Sequence, residues 1–503
     1  MTRVAKALGE WLFRLRLALP ALAVAFVLAP VADAAPRRDT QLEAQMMAHI
    51  TVLASDEYQG REPGTDGEAK TLAYLGKQWF EIGLTSGTND PGNEWFAPVS
   101  LIERRPALSS ARFNQRGRPQ AIAPDAVQVL TSGQRSLVKN VPLLFVGKLN
   151  GMLPPRSELA GKVALLLDGG VENSERQNAL LAAGASGVMT VLDGERSLAS
   201  IRSRRLRPGY ALASDTLGGD LEAFISRSGL DQLLQGTGLS VASLEVVAAK
   251  PEFSSRPLEL SASLEATTSG TSIRTYNLIG KLPGRRPGSG AVLFVAHWDH
   301  FGICGEPPAE DVICHGAVDN ASGVAALTEL ARRLVRGPKP DRDIYFLATT
   351  AEELGLLGAH AFADNPPLPL GQIVAAFNID SIALAPFGSP LAVVGTGMTR
   401  LDAQIAAVAR REKRAIVAGD AANAYVRRQD GWALLQHDIP TVMVSSAYAD
   451  LTRLEAFFEG PYHRPADNLK RTIELGGAAQ DVAFYIALAR WFGDVRRVSL
   501  PVR

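Results

Sequence analysis

The sequence predicts an α/β fold: a mainly parallel, mixed sheet with helices on both faces, interrupted by a second α/β segment. Three observations lead there. From Tyr276 onward, strand-like and helix-like runs alternate strictly, the pattern of a parallel sheet covered by its crossover helices. Residues 125–264 hold their own succession of short apolar runs around a small-residue helix. At 503 residues the chain is also longer than one ordinary core supports. The expected division is an export signal at 1–34, a main domain built from 40–124 and 265–495, and an insert at 125–264.

The amino-terminal expectation comes from charge order. Arg3, Lys6, Arg14 and Arg16 precede the apolar run 17–28, and Ala32-Asp33-Ala34 follows it, the layout of a cleavable secretory signal. The run is short for a membrane span, is interrupted by Pro20 and is followed by Pro30. Cleavage near Ala34 is expected, giving a periplasmic or secreted chain with no stable membrane insertion.

The next elements follow from periodicity. Leu42, Met46, Ile50 and Leu53 recur at helical spacing, and Leu72, Leu75, Trp79 and Ile82 mark a second helix beyond the polar turn 55–67. A loop at 87–92 precedes short apolar stretches that run to about Pro124. In the insert, strands are expected at 141–146, 163–167 and 187–192, with a helix at 179–185. The insert contains neither Cys nor His, so it reads as structural or as a gate to the site. The main domain should then place strands at 292–296, 344–348, 375–379 and 441–444. Between the first two, Val324, Leu327, Leu330, Leu334 and Val335 form one apolar helix face, with Arg332, Arg333 and Arg336 on the solvated side.

Composition narrows the partners. Lys plus Arg and Asp plus Glu each total 52, and the neutral balance argues against nucleic acid. There is no basic block, heptad seam, low-complexity tract or 20-to-50-residue repeat. Cys304 and Cys314 share one loop, and an exported chain meets an oxidising compartment, so they are expected to form a loop-closing disulfide. Without C-x-x-C spacing they make a poor metal set.

The chemistry-bearing residues gather where strands end, which is where open α/β sheets bind ligands. His297 and Asp299 stand two apart at a strand terminus, so an imidazole can bind metal while a carboxylate orients it. Asp319, in Gly316-Ala317-Val318-Asp319-Asn320-Ala321-Ser322-Gly323, lies at a loop-to-helix junction from which it could bridge two cations; alone it would read as an N-cap. Glu352 and Glu353 are adjacent carboxylates after a buried strand, and they repel each other unless a cation or proton absorbs the charge. A solvated pair opening a helix is the plainer reading of that fragment. Asp380 ends Asn378-Ile379-Asp380, and Tyr462-His463 brings a phenol and an imidazole late in the chain. No G-x-S-x-G, H-E-x-x-H or Walker A sequence occurs.

As an ordered set, His297-Trp298-Asp299-His300, Asp319-Asn320-Ala321-Ser322-Gly323, Glu352-Glu353, Asn378-Ile379-Asp380 and Tyr462-His463 resemble the co-catalytic di-zinc aminopeptidase family, which includes glutamate carboxypeptidases. Residues 53–65 look like the opening of its bacterial members, and the insert resembles their protease-associated domain. The resemblance implies a zinc exopeptidase fold holding two Zn2+ per chain. His297 and Asp380 would complete one ion, Glu353 and His463 the other, and Asp319 would bridge. It further implies Glu352 as general base, Asp299 as the orienting partner of His297, and Tyr462 as a donor to the oxyanion. Two such ions polarise a carbonyl and provide a nucleophile at neutral pH. The expected function is aminopeptidase cleavage of peptide substrates; a carboxypeptidase of the same family, or a metal-free scaffold, is the alternative. Where relatives often carry Ser-Asp-His, this chain has Gln429-Asp430-Gly431, which leaves recognition of the substrate's end open. His315, four residues before Asp319, reads as a loop residue; His49, His360 and His437 read as structural or exposed.

Overall fold

Side chains along the strand Ala291–His297 alternate between two buried faces, and this sets the layers. Val292, Phe294 and Ala296 join one apolar cluster with the helices, whereas Leu293 and Val295 join another on the opposite face. A strand buried on both sides must lie inside a sheet covered on both faces, the usual setting of parallel strands. The structure, a computed structural model, describes residues 37–89, 91–92, 94–148, 153–168, 173–194, 196–205, 208–215, 220–305 and 308–500. The export signal expected at 1–34 lies outside the described residues. The described residues from Thr40 onward form one compact unit.

The strands run in the order Ala392–Val394, Thr441–Ser445, Ile373–Asn378, Ala291–His297, Asp343–Thr349, then Arg256–Leu282. The middle four are mutually parallel, in register from Ala291 opposite Asp343 to His297 opposite Thr349. The flanking strands Ala392–Val394 and Arg256–Leu282 pair antiparallel, giving the mixed sheet. On one face pack the helices Thr40–Leu53, Asp66–Ile82, Gly323–Arg336 and Gly476–Phe492. Phe362 and Leu434, from the helices Leu357–Asp364 and Asp430–Gln436, cover the other.

The chain between these layers departs from the expectation of short stretches up to Pro124. Phe96–Gln115 is one continuous strand of 20 residues, paired with the 27-residue strand Arg256–Leu282 from Leu278 opposite Phe96 to Leu260 opposite Gln115. Its centre, Glu103 to Ser110, is half-buried to exposed and has no apolar rhythm, which is why the sequence reads as broken there. Arg256–Leu282 continues the sheet into Arg135–Gly147, Val163–Leu167, Gly187–Val191, Leu221–Ile225 and Val127–Thr131. The strands of residues 125–264 therefore extend the main sheet through a shared ribbon while packing a separate apolar cluster around Phe145, Leu165 and Ile225. Cys304 and Cys314 are disulfide-bonded, beside the antiparallel bridge Ile303–Ile313. Among the described residues no helix is long and apolar enough to cross a membrane.

Candidate metal centre

The parallel strands deliver their carboxyl ends to one place. His297 closes Ala291–His297, Glu352 and Glu353 follow Asp343–Thr349, and Asp380 lies two residues beyond Ile373–Asn378. Asp319 arrives in the irregular turn Ala317–Ser322, and His463 follows the helix Leu451–Glu459. Three of these segments bend through left-handed backbone at a non-glycine residue: Ala351 (φ 52), Ser381 (φ 51) and His463 itself (φ 57). Each costs on the order of 1 kcal/mol, a strain concentrated around the site.

Asp319 stands at the centre. Its Oδ1 is 3.3 Å from Nε2 of His297, and its Oδ2 is 3.3 Å from Nε2 of His463. Around this axis, His297 Nε2 lies 3.5 Å from Asp380 Oδ1 and His463 Nε2 lies 3.0 Å from Glu353 Oε2. The donor atoms of His297, Asp319 and Glu353, and those of His297, Glu352 and Asp380, each lie within 4.8 Å of one another. The structure thus brings together His297, Asp319, Glu352, Glu353, Asp380 and His463, with Asp299 and Tyr462 against them.

Asp299 divides its work. Its backbone carbonyl accepts from His297 Nδ1 at 3.2 Å, which leaves Nε2 of a neutral ring as the free donor atom. Its carboxylate lies 3.7 Å from the same Nδ1 and accepts the backbone N–H groups of Glu352 at 3.1 Å and Glu353 at 3.4 Å. The residue therefore positions both the imidazole and the glutamate pair. The Tyr462 ring stacks on that of His463 at 3.6 Å, and Phe301 packs edge-on against the same imidazole at 4.5 Å.

Several partners were not singled out from sequence. Nδ1 of His300, a fully buried residue, is 2.5 Å from Glu353 Oε1. Asp430 accepts from Thr349 Oγ1 at 2.5 Å. Asp467 receives the N–H of Asp319 at 2.9 Å and that of Val318 at 3.1 Å. Asn320 donates to the Ile379 carbonyl and accepts from Ser381 N–H, tying the Asp319 turn to the Asp380 strand end. Arg61 is 1 % exposed and donates to the carbonyls of Leu53, Trp298, His315 and Gly316 at 2.6–3.0 Å. Gly60 beside it allows this approach, since a Cβ there would meet the Cys314 carbonyl at 2.4 Å and φ is +68°. His315 touches Asp311 at 3.3 Å rather than the cluster. His49 is buried between Tyr74 and Glu329, while His360 and His437 lie against each other at 5.8 Å.

Charge decides what the cluster can hold. Burial pushes Glu352 well above the ordinary carboxyl range, with Glu353, Asp380 and Asp430 pushing it further and His297 opposing. Burial also raises Asp430 to about 6 and Asp299 to about 7. For the imidazoles burial works the other way, yet Glu352, Asp319 and Asp380 hold His297 well above its usual range. Asp319 and Glu353 hold His463 up to about 9 against the same opposing effect. Burial draws Arg61 down to about 10, and Asp319 and Asp299 resist. The carboxylates of Asp299, Asp319, Glu352, Glu353, Asp380 and Asp430 thus share a small volume with one guanidinium whose donors are already engaged by carbonyls. Such a surplus of buried negative charge calls for cations.

The donor set fits metal. Asp319 Oδ2 and His463 Nε2 are buried with no hydrogen-bond partner, as expected of atoms that coordinate an ion. Imidazole nitrogens and carboxylate oxygens without thiolate suit zinc, and also manganese or cobalt.

A covered parallel sheet with this donor set at its carboxyl edge defines an α/β protein with a candidate metal centre of imidazoles and carboxylates. Comparison with known proteins shows where the likeness lies: residues 277–487 match the model of Peptidase family M28. Over 126 residues the chain is 34 % identical to "Aminopeptidase YwaD" of Bacillus subtilis (strain 168), covering 25 % of each. Over 87 residues it is 36 % identical to "Vacuolar membrane protease" of Pyricularia oryzae, covering 17 % of this chain and 8 % of that protein. The matched regions thus span a quarter or less of these curated relatives. The solved structure of the aminopeptidase from Aneurinibacillus sp. strain AM-1 superposes with a TM-score of 0.54 at 17 % identity, over 92 % of this chain and 95 % of that one, a likeness of fold.

Proposed function

We propose that the chain is a zinc-dependent aminopeptidase that removes N-terminal residues from peptides, with two Zn2+ per chain. The observation that carries this reading is the placement of the two oxygens of Asp319, each facing a different imidazole, with Asp380 beside one and Glu353 beside the other. His297, Asp380 and Asp319 would hold one ion; His463, Glu353 and Asp319 would hold the second. The ions, when bound, supply Lewis acidity to the scissile carbonyl and lower the pKa of the attacking water.

The protein's own groups do the rest. Glu352, adjoining the donor cluster and first in line after its strand, takes the proton of the attacking water and returns it to the leaving amine. The Tyr462 phenol, held by its stack on His463, donates to the oxygen on which negative charge develops. Asp299 keeps His297 and the glutamate pair in register through three hydrogen bonds. Residues 125–264 serve as a protease-associated insert beside the site, and cleavage near Ala34 delivers the chain to the periplasm or medium.

The test is hydrolysis of free-amine, N-acetylated and C-terminally amidated peptides before and after chelation. Chelator-sensitive cleavage restricted to free-amine substrates is expected. Cleavage of N-acetylated peptides from the carboxyl end would replace the reading with a carboxypeptidase, and a metal-free protein without turnover would replace it with a scaffold.

A further inference from the structure

The segment Ala421–Arg428 leads into Asp430 at the sheet's carboxyl edge, and it brings a guanidinium to the rim of the donor cluster. Arg428 lies over the Phe458 ring at 4.6 Å and over the Tyr462 ring at 5.3 Å. Tyr462 in turn stacks on His463, whose Nε2 faces Asp319. One aromatic layer therefore separates this cation from the reacting centre.

The neighbouring guanidiniums are committed. Arg61 is engaged by four carbonyls, Arg471 pairs with Asp467 at 3.1 Å, and Arg464 is held by the carbonyls of Glu459 and Gly460. Arg427, next in sequence, packs on Trp432 at 5.0 Å. Among the described residues Arg428 makes no ion pair with a carboxylate, and it is exposed to solvent. Stacking on two rings fixes the plane of its fork while leaving an edge of N–H donors available. That is the preorganised form in which arginine receives a carboxylate with two parallel hydrogen bonds. Arg428 thus offers a substrate carboxylate a fixed cation beside the site, separate from any bound ion.

We propose that Arg428 is a specificity-determining residue that selects peptides bearing a carboxylate next to the cleaved bond. The carboxylate belongs either to an acidic N-terminal side chain or to the free terminus of a dipeptide. The proposal rests on the aminopeptidase reading above and names its substrate class.

The experiment compares the zinc-loaded wild type with Arg428→Met, which keeps the apolar stem, and Arg428→Lys, which keeps the charge without the fork. Two selectivity ratios of kcat/KM are read: Glu-p-nitroanilide over Leu-p-nitroanilide, and Leu-Leu over Leu-Leu-amide. In Arg428→Met one ratio is expected to fall about tenfold or more, chiefly through KM, with Arg428→Lys intermediate. A fall in the first ratio assigns the side-chain carboxylate, and a fall in the second assigns the dipeptide terminus. If Arg428→Met fails to fold by circular dichroism, Arg428→Lys decides, with a loss of about threefold expected in one ratio. Both ratios unchanged in the folded variants would overturn the proposal. A wild type that cleaves none of the four substrates would instead overturn the peptidase reading, and this proposal with it.

Discussion

Asp467 accepts the backbone N–H of Asp319 at 2.9 Å, so the residue proposed to bridge two ions is held through its main chain by a carboxylate 148 residues away. The same side chain takes the Val318 N–H and pairs with Arg471, and its own carbonyl takes the Ala317 N–H. Asp467→Ala leaves two buried amides without a partner. A loss of about 2–4 kcal/mol of stability is expected in urea unfolding of the chelated protein. Zinc affinity should fall about 10–100-fold in competition titration, because the turn presenting Asp319 is no longer fixed. Unchanged affinity would show that the turn is held without Asp467.

Arg61 makes a parallel case from the amino-terminal side. Its guanidinium joins Leu53 to the backbones of Trp298, His315 and Gly316. Arg61→Met should cost about 3 kcal/mol or more, since four carbonyls lose their donors at once in a buried place. A urea midpoint within error of the wild type would contradict this.

The strand ends were legible in the sequence because chemistry and periodicity coincide there. His297, Glu352-Glu353 and Asn378-Ile379-Asp380 each follow an apolar run, and the helix Gly323–Arg336 announces itself by an uninterrupted apolar face. Arg61, Asp467, Asn320 and His300 carried no such signal. Three of them act on distant main-chain groups, and Arg61 and Trp298 are 237 residues apart, so neither spacing nor residue type marks the pair. The ribbon Phe96–Gln115 with Arg256–Leu282 was hidden for another reason. Its middle is solvated on both strands, so it lacks the alternation by which a strand is recognised, and the boundary drawn at 264 falls inside a continuous strand.

Removal of the proposed general base should separate chemistry from metal binding. Glu352→Gln is expected to lower kcat about 10²–10⁴-fold with metal content retained. Wild-type turnover would remove Glu352 from the mechanism.

Two phenols approach the site. Tyr462 stacks on His463, and the buried Tyr448 is pushed well above the usual phenol range by burial and then by Asp380 and Asp319. Tyr462→Phe should lower kcat about 10²–10³-fold with little change in KM, and Tyr448→Phe considerably less. The reverse order would transfer the oxyanion role to Tyr448.

A pH effect on stability is expected away from the metal centre. Burial raises Asp481 to about 6, against hydrogen bonds from Ser446 and Arg414. The folded state therefore binds a proton that the unfolded chain, titrating at about 3.9, releases earlier. Its contribution is full below about pH 4 and is lost as pH rises through about 6, by up to ~3 kcal/mol. Measured by urea unfolding, the stability of wild type relative to Asp481→Asn should decline between pH 4.5 and 7.5. A constant difference would contradict the assignment.

The bridging role of Asp319 is tested most directly by the zinc content of Asp319→Ala, measured beside the wild type after equal loading and desalting. Two zinc per chain in the wild type and at most one in the variant are expected, because one carboxylate faces both imidazoles. Two zinc retained by the variant would contradict a shared ligand at the centre of the site.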